Sequence, residues 1–212
     1  MNRVLAWKIN WYRQSELEGA VLLGRVVRQA DDPYLISQLV RHAADEARHA
    51  AMWQDVLERL GLPAIRILRS YQSFYGQHIS PPVSITEVLA LTHVFEERVW
   101  RQFELELRDE RTPTVMRSMI ERMHRDERGH LDWVARHLAD QHDGEQLIAT
   151  YRRIDEQVYS ELAPFEQRLW DVPGLGLELS QVSAPVPFAG KGLEFPSMQA
   201  RGFIQQAEPV VE

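Results

Sequence analysis

The 212 residues are 44% hydrophobic, carry a formal charge of -7 and include no cysteine; a chain of this size fills one core, and without thiols it has no disulfide framework, thiolate zinc site or catalytic cysteine. Any metal must therefore be held by nitrogen and oxygen. The acidic balance speaks against nucleic acid as a partner, no apolar run approaches the roughly 20 residues of a membrane span, and the opening MNRVLAWKINWYRQSE is broken by charge too early for a secretory segment, so a cytoplasmic protein is expected.

Apolar residues recur at spacings of three and four over long stretches, with little alternation of period two, which predicts an all-α fold. The first helix is expected over about 10–30, ended by DDP, and the second over about 33–60, with Asp32 as cap, Pro33 in its first turn and Gly61 and Pro63 at its end. A crossover with some short helical structure follows over 62–83. Ser84 to Glu87 reads as a capping box opening a third helix to about 110. RTP breaks the chain, a fourth helix runs over about 113–140, and HDGE precedes a fifth over about 144–170. These 170 residues form the predicted helical domain, two antiparallel hairpins plus an additional C-terminal helix; the proline- and glycine-rich stretch 171–212 is expected to be an extended arm over the helices or a partner subunit, or partly disordered.

The second helix contains HAADEARHA, residues 42–50, and the fourth repeats part of it: an offset of 81 lays Asp45-Glu46-x-x-His49 on Asp126-Glu127-x-x-His130. Glutamate and histidine three apart on a helix lie on one side of it and reach a common point. A single such motif reads most simply as a solvated charged edge. The doubled one does not, because inward carboxylates cost several kcal/mol each without compensation, and divalent cations would supply it. On the first helix, the stripe Leu17, Ala20, Gly24 and Val27 is expected to be buried, with Glu16 inside it and Glu18 nearly opposite. On the third, the offset maps Glu16 onto Glu97, whereas the apolar face of Val88, Phe95, Val99 and Phe103 includes Glu96; a ligand on the wrong face cannot reach the core, so Glu96 is preferred.

The set Glu16, Glu46-x-x-His49, Glu96, Glu127-x-x-His130 resembles the ferritin-like di-iron carboxylate superfamily, in which one glutamate from each of two helices and Glu-x-x-His from each of two others hold the metals. The resemblance implies a ferritin-like four-helix bundle holding two iron ions, or alternatively two manganese ions. It also implies activation of dioxygen or peroxide by an oxidoreductase, an oxygenase or oxidase acting on a small substrate with an electron donor. The alternatives are a ferroxidase or iron-storage protein, a dimanganese catalase and a metal-free interaction bundle; a homodimer or small homo-oligomer is expected. DEARH is also similar to a segment of bacterial multicomponent monooxygenases, by which Asp45 and Asp126 would orient the far ring nitrogens of the histidines and Arg48 would pair with an aspartate; Gly129 stands at the second Arg position. His42 shares the face of Glu46 and His49. It is either a third nitrogen ligand, as in arylamine N-oxygenases that carry theirs in the other half, or a packing histidine one turn away; His93 stands one turn before Glu96. Of the tryptophans, Trp53 and Trp100 are the candidates for pocket walls and Trp7, Trp11, Trp133 and Trp170 for packing.

Overall fold

The computed structural model describes residues 3–64, 67 and 70–171, and side chains between residues 5 and 161 of these, Ser73 excepted. The arm expected from 171 onward thus lies almost wholly outside the described residues, as does the side chain of Trp170. Among the described residues there is no strand, and no helix is long and apolar enough to cross a membrane. The helices are α1 (Arg3–Val26, followed by a short 3-10 turn at Val27–Gln29), α2 (Pro33–Arg59), the short α3 (Tyr71–Tyr75), α4 (Ile85–Arg108), α5 (Thr114–Ala139) and α6 (Gly144–Asp171).

Local chemistry sets these ends. Asp32 accepts from the Leu35 amide at 2.6 Å ahead of Pro33, and α2 stops before Gly61, whose φ of 62° suits a residue without Cβ. Ser84 accepts from the Glu87 amide at 3.1 Å while the Glu87 carboxylate accepts from Val83, not Ser84, at 2.6 Å. The box therefore closes one residue further out than its standard form.

Four stripes with steps of three and four face one another, the one on α4 running through Leu89, His93, Glu96, Val99 and Phe103. On α2 the stripe is Leu35, Leu39, His42, Glu46, His49, Trp53 and Val56, and on α5 Met116, Ile120, Met123, Glu127, His130 and Val134, all buried. On α1 it is Leu5, Ile9, Tyr12, Glu16, Leu23 and Val26, with Gly19 completing the spacing. This corrects two expectations. The helix begins at Arg3, not near residue 10, because Leu5, Trp7 and Ile9 are buried. The buried stripe is also one position away from the expected one: Leu17 is 48% exposed and Val21 46%. Glu16 and Gly19 occupy places where apolar residues would have marked the true face, and the exposed Leu17 helped to mark a false one.

Pairing follows from the contacts. Arg13 pairs with Gln54, Glu16 meets the Trp53 indole and Gly19 lies against Glu46, so α1 and α2 run antiparallel. Arg117 donates to the Leu107 carbonyl and His124 stacks on Trp100, while Arg48 and His49 meet Asp126 and Asp45 meets His130, so α5 runs antiparallel to both α4 and α2. Being both antiparallel to α5, α2 and α4 point the same way, and the segment between them returns along the helices. Two apolar clusters result, one with Ile9, Trp53, Val56, Phe103, Met116 and Ile120, the other with Leu23, Leu39, Leu89, Val134 and Leu138. The polar positions of all four stripes fall between them in sequence.

The last long helix lies outside this arrangement and is tied to α4 by charge. Arg98 donates to Asp155 at 2.7 Å and to Glu156 at 2.6 Å and covers the Tyr159 ring at 4.0 Å, while Tyr71 and Tyr75 of α3 also donate to Asp155. Asp155 is 3% exposed and Arg98 9%. Asp155→Ala should thus destabilise by about 3 kcal/mol, because it strands a buried cation and two phenols; Asp155→Asn should lose less. Chemical denaturation of the three proteins checks the order.

Candidate metal centre

The seven singled-out residues come together. Glu16 arrives from α1, His42, Glu46 and His49 from successive turns of α2, Glu96 from α4, and Glu127 and His130 from α5, none more than 7% exposed. They form two groups, Glu16–Glu46–His49–Glu127 and His42–Glu46–Glu96–His130, each with ligand-type atoms within 4.8 Å of one another, and Glu46 belongs to both.

In the first group His49 Nδ1 stands 3.1 Å from Glu127 Oε1 and 3.7 Å from Glu16 Oε2. In the second, His42 Nε2 stands 2.6 Å from Glu96 Oε1 and 3.3 Å from Glu46 Oε1, and His130 Nδ1 3.4 Å from Glu46 Oε1. Glu127 reaches His130 too, at 3.5 Å. Glu46 and Glu127 therefore lie between the halves, with Glu16 and Glu96 outside them. His42 stacks on the His130 ring at a centroid distance of 3.8 Å, which gives the second group two imidazoles against one.

The far nitrogens are held from outside. His49 Nε2 lies 3.3 Å from Asp126 Oδ2 and His130 Nε2 3.2 Å from Asp45 Oδ2, so each aspartate braces the histidine of the other hairpin. Arg48 bridges the aspartates, 2.8 Å from Asp45 and 2.9 Å from Asp126. This bracing fixes the rings with Nδ1 toward the glutamates.

Other candidates fall elsewhere. Glu97 accepts from Arg152 of α6 at 2.9 and 2.6 Å, outside both groups. Glu96 and Glu127 are one residue further apart in sequence than Glu16 and Glu46, which reconciles the near-repeat with the buried face. His93 is buried but meets Glu97 at 3.5 Å and joins neither group. Met123, opposite His42 in the repeat, is fully buried, and His124 stacks on Trp100.

A cavity of about 40 Å³ opens against Glu16, lined by Trp11, Tyr12, Ser15, Tyr71, Arg98 and Gln102 among others. The expected walls Trp53 and Trp100 do not line it. Trp53 instead donates its indole N–H to Glu16 at 3.3 Å, a contact that no spacing rule signals. Gly19 was also invisible as a site residue: a Cβ there would lie 2.9 Å from Glu46 Oε2, so the bare backbone makes room for that carboxylate.

Burial and crowding shape the protonation. Glu46 is pushed well up, by desolvation and then by repulsion from Glu16, Glu127 and Glu96. Burial pulls His49 down, but the Glu127 and Glu16 carboxylates outweigh it and raise the imidazole to about 12. Burial likewise opposes ionisation of Glu127, yet His130 and His49 bring it well below the usual carboxylate range. His42 and His130, each pulled down by burial, are raised on balance by Glu96 and Glu127 respectively.

These close approaches still leave lone pairs unused. Both nitrogens of His42, Nδ1 of His49 and of His130, Oε1 of Glu46 and both oxygens of Glu96 are buried without a partner at hydrogen-bonding angles. Buried polar atoms nearly always find one. A set of imidazole and carboxylate donors so gathered suits first-row divalent ions such as iron or manganese, and the residues present fit them.

No family model, no curated protein and no solved structure matches the chain. What the fold and the cluster define is a class: an all-helical protein whose core carries two linked carboxylate–histidine groups able to hold metal. Which member of that class it is rests on the chemistry of the groups themselves.

Two outcomes follow. Ligation needs His49 neutral and Glu46 ionised, and each proton displaced makes affinity rise about tenfold per pH unit. Metal affinity should therefore climb with pH through neutrality, with proton release visible as buffer-dependent heats in calorimetric titration with Fe(II) or Mn(II). Gly19→Ala should weaken metal binding, because its Cβ displaces Glu46, while metal-free stability changes by less than about 1 kcal/mol, since the contact offsets the gain in helix propensity; metal titrations and denaturation curves of the metal-free protein check the two.

Proposed function

We propose that this chain is a ferritin-like carboxylate protein that binds two metal ions, iron in preference to manganese, and works as an oxidoreductase that activates dioxygen or peroxide. The observation that carries the reading is the pair of buried groups sharing Glu46, with Glu127 of the first also approaching His130 of the second. Glu16, Glu46, His49 and Glu127 would hold one ion and His42, Glu46, Glu96 and His130 the other. The antiparallel hairpins and the return segment between α2 and α4 agree with the ferritin-like arrangement.

When bound, two ferrous ions supply electrons to dioxygen or peroxide. The protein's own residues do the rest. Asp45 and Asp126 hold the imidazole rings and raise the basicity of their inner nitrogens. The apolar clusters on either side exclude bulk water from the donor atoms. Glu16 is the one donor of the set that lines the 40 Å³ cavity, which has room for about three waters. Glu16 thus gives the set one side that a small oxidant could approach.

Anaerobic loading with Fe(II) followed by elemental analysis tests the reading. About two ions per chain are expected in the wild type, about one in Glu96→Gln and about two in Glu97→Gln, since the last residue only pairs with Arg152. Less than about half an ion per wild-type chain overturns it.

A further inference from the structure

Between α4 and α6 opens a cleft of about 240 Å³ whose walls are almost wholly charged. Val94 is the one apolar residue in its lining; Glu97 and Arg101 stand on the α4 side, and Arg152, Arg153, Asp155 and Glu156 on the α6 side. Each of these acids already faces an arginine. Glu97 accepts from Arg152 at 2.9 and 2.6 Å, and Asp155 and Glu156 accept from Arg98 at 2.7 and 2.6 Å. Two of the three lining arginines are left over. Arg153 donates to Thr150 Oγ1 at 3.4 Å and meets no acid among the described residues, and Arg101 comes no nearer than 3.9 Å to Glu156, which Arg98 already holds. The pairs Glu97–Arg152 and Arg101–Glu156 share one offset, so α4 and α6 run in the same direction and Arg153 stands level with Arg98. That places it three residues, or about 4.5 Å along the axis, from Arg101 on the facing wall, within reach of two arginine side chains.

We infer that this cleft binds a small oxyanion, the phosphate or carboxylate group of a soluble ligand, with Arg101 and Arg153 as its principal donors and Arg152 beside them. A guanidinium presents its N–H groups as a planar fork that matches two oxygens of a phosphate or carboxylate. Two uncommitted forks on different helices close on one such group from opposite walls. With a single apolar residue in the lining, the cleft has little to hold an uncharged hydrocarbon. Its uncommitted charge is positive, which excludes a cation. The volume equals about eight waters at roughly 30 Å³ each, room for an oxyanion and a short carbon chain. Glu97 belongs to neither metal group, so this ligand is not held beside the ions, and the inference does not rest on the functional reading above. A ligand gripped by Arg101 and Arg153 ties α4 to α6, as Arg98 and Asp155 already do, and binding is therefore visible as stabilisation of the fold.

Calorimetric titration of the metal-free full chain with inorganic phosphate and, separately, with succinate tests the site, with ionic strength held constant by sodium chloride. Saturable uptake of one ligand per chain with a Kd below about 5 mM is expected for at least one of them, and the tighter of the two tells a phosphate source from a carboxylate one. Arg101→Ala and Arg153→Ala should each weaken that binding about tenfold or more, through the loss of charge-assisted hydrogen bonds. Arg122→Ala, which removes an exposed arginine of α5, should leave it unchanged. The melting temperature should rise with added ligand in wild type and in Arg122→Ala but not in the two cleft variants. No saturable binding of either anion below about 5 mM, unchanged affinity in the cleft variants, or an equal loss in Arg122→Ala overturns the site. None of these readings involves metal, so such a failure leaves the functional reading standing.

Discussion

Four glutamates and three histidines are gathered in one buried cluster between two apolar ones, and their mutual electrostatics is the constraint around which the rest of the molecule is arranged. Each ionised carboxylate loses several kcal/mol of hydration on burial, and like charges a few ångströms apart raise that cost further. Without a cation the cluster settles it with protons: Glu46 is held toward its neutral form while His49 stays charged between Glu127 and Glu16. Protons in these places are what a divalent ion would displace. The groups are therefore stable enough to fold and still predisposed to exchange protons for metal.

The same network joins the hairpins. Because Asp45 braces His130 and Asp126 braces His49, neither hairpin completes its half of the site alone. Arg48 spans the two aspartates at the rim, where it is half exposed and able to satisfy both. Docking of α2 on α5 and orientation of the imidazoles are one event, with apolar packing above and below supplying the bulk of the free energy. The near-repeat of the chain gives this centre approximate two-fold character, which His42 breaks: the corresponding Met123 leaves the first group with one imidazole, while the second has two stacked against each other. The two groups would thus offer an ion different numbers of nitrogen donors.

Glu16 borders both packed core and open space. One oxygen meets the Trp53 indole, and a small cavity that Tyr12, stacked on Trp53, also lines opens against the carboxylate. The cavity's far wall includes Tyr71 and Arg98, which Asp155 of α6 holds in place. An element outside the two hairpins thus shapes the approach to their interior, and α6 gives the otherwise near-symmetric arrangement a distinct open side.

Much of this was legible in the residues because it is local. Helix ends at Asp32, Gly61 and Ser84 depend on side chains and backbone a few positions apart, and the doubled Asp-Glu-x-x-His declares two helix faces because a helix repeats every 3.6 residues. Glu96 could be preferred over Glu97 for the same reason, a rotation of about 100° about one axis. The face of α1 could not be read that way: its buried stripe carries Glu16 and Gly19 where aliphatics would have signalled it, and Leu17 and Val21 point outward. Local periodicity cannot say which residues of different helices meet. The crossing of each aspartate to the other hairpin's histidine, the closeness of His42 to Glu96, the room that Gly19 leaves for Glu46 and the line from Glu16 through Trp53 to Tyr12 all depend on the relative height and rotation of helices distant in sequence. Those are set by the packing of whole apolar faces, so the amino-acid pattern determined which residues face the core, and only the tertiary structure decided which of them touch.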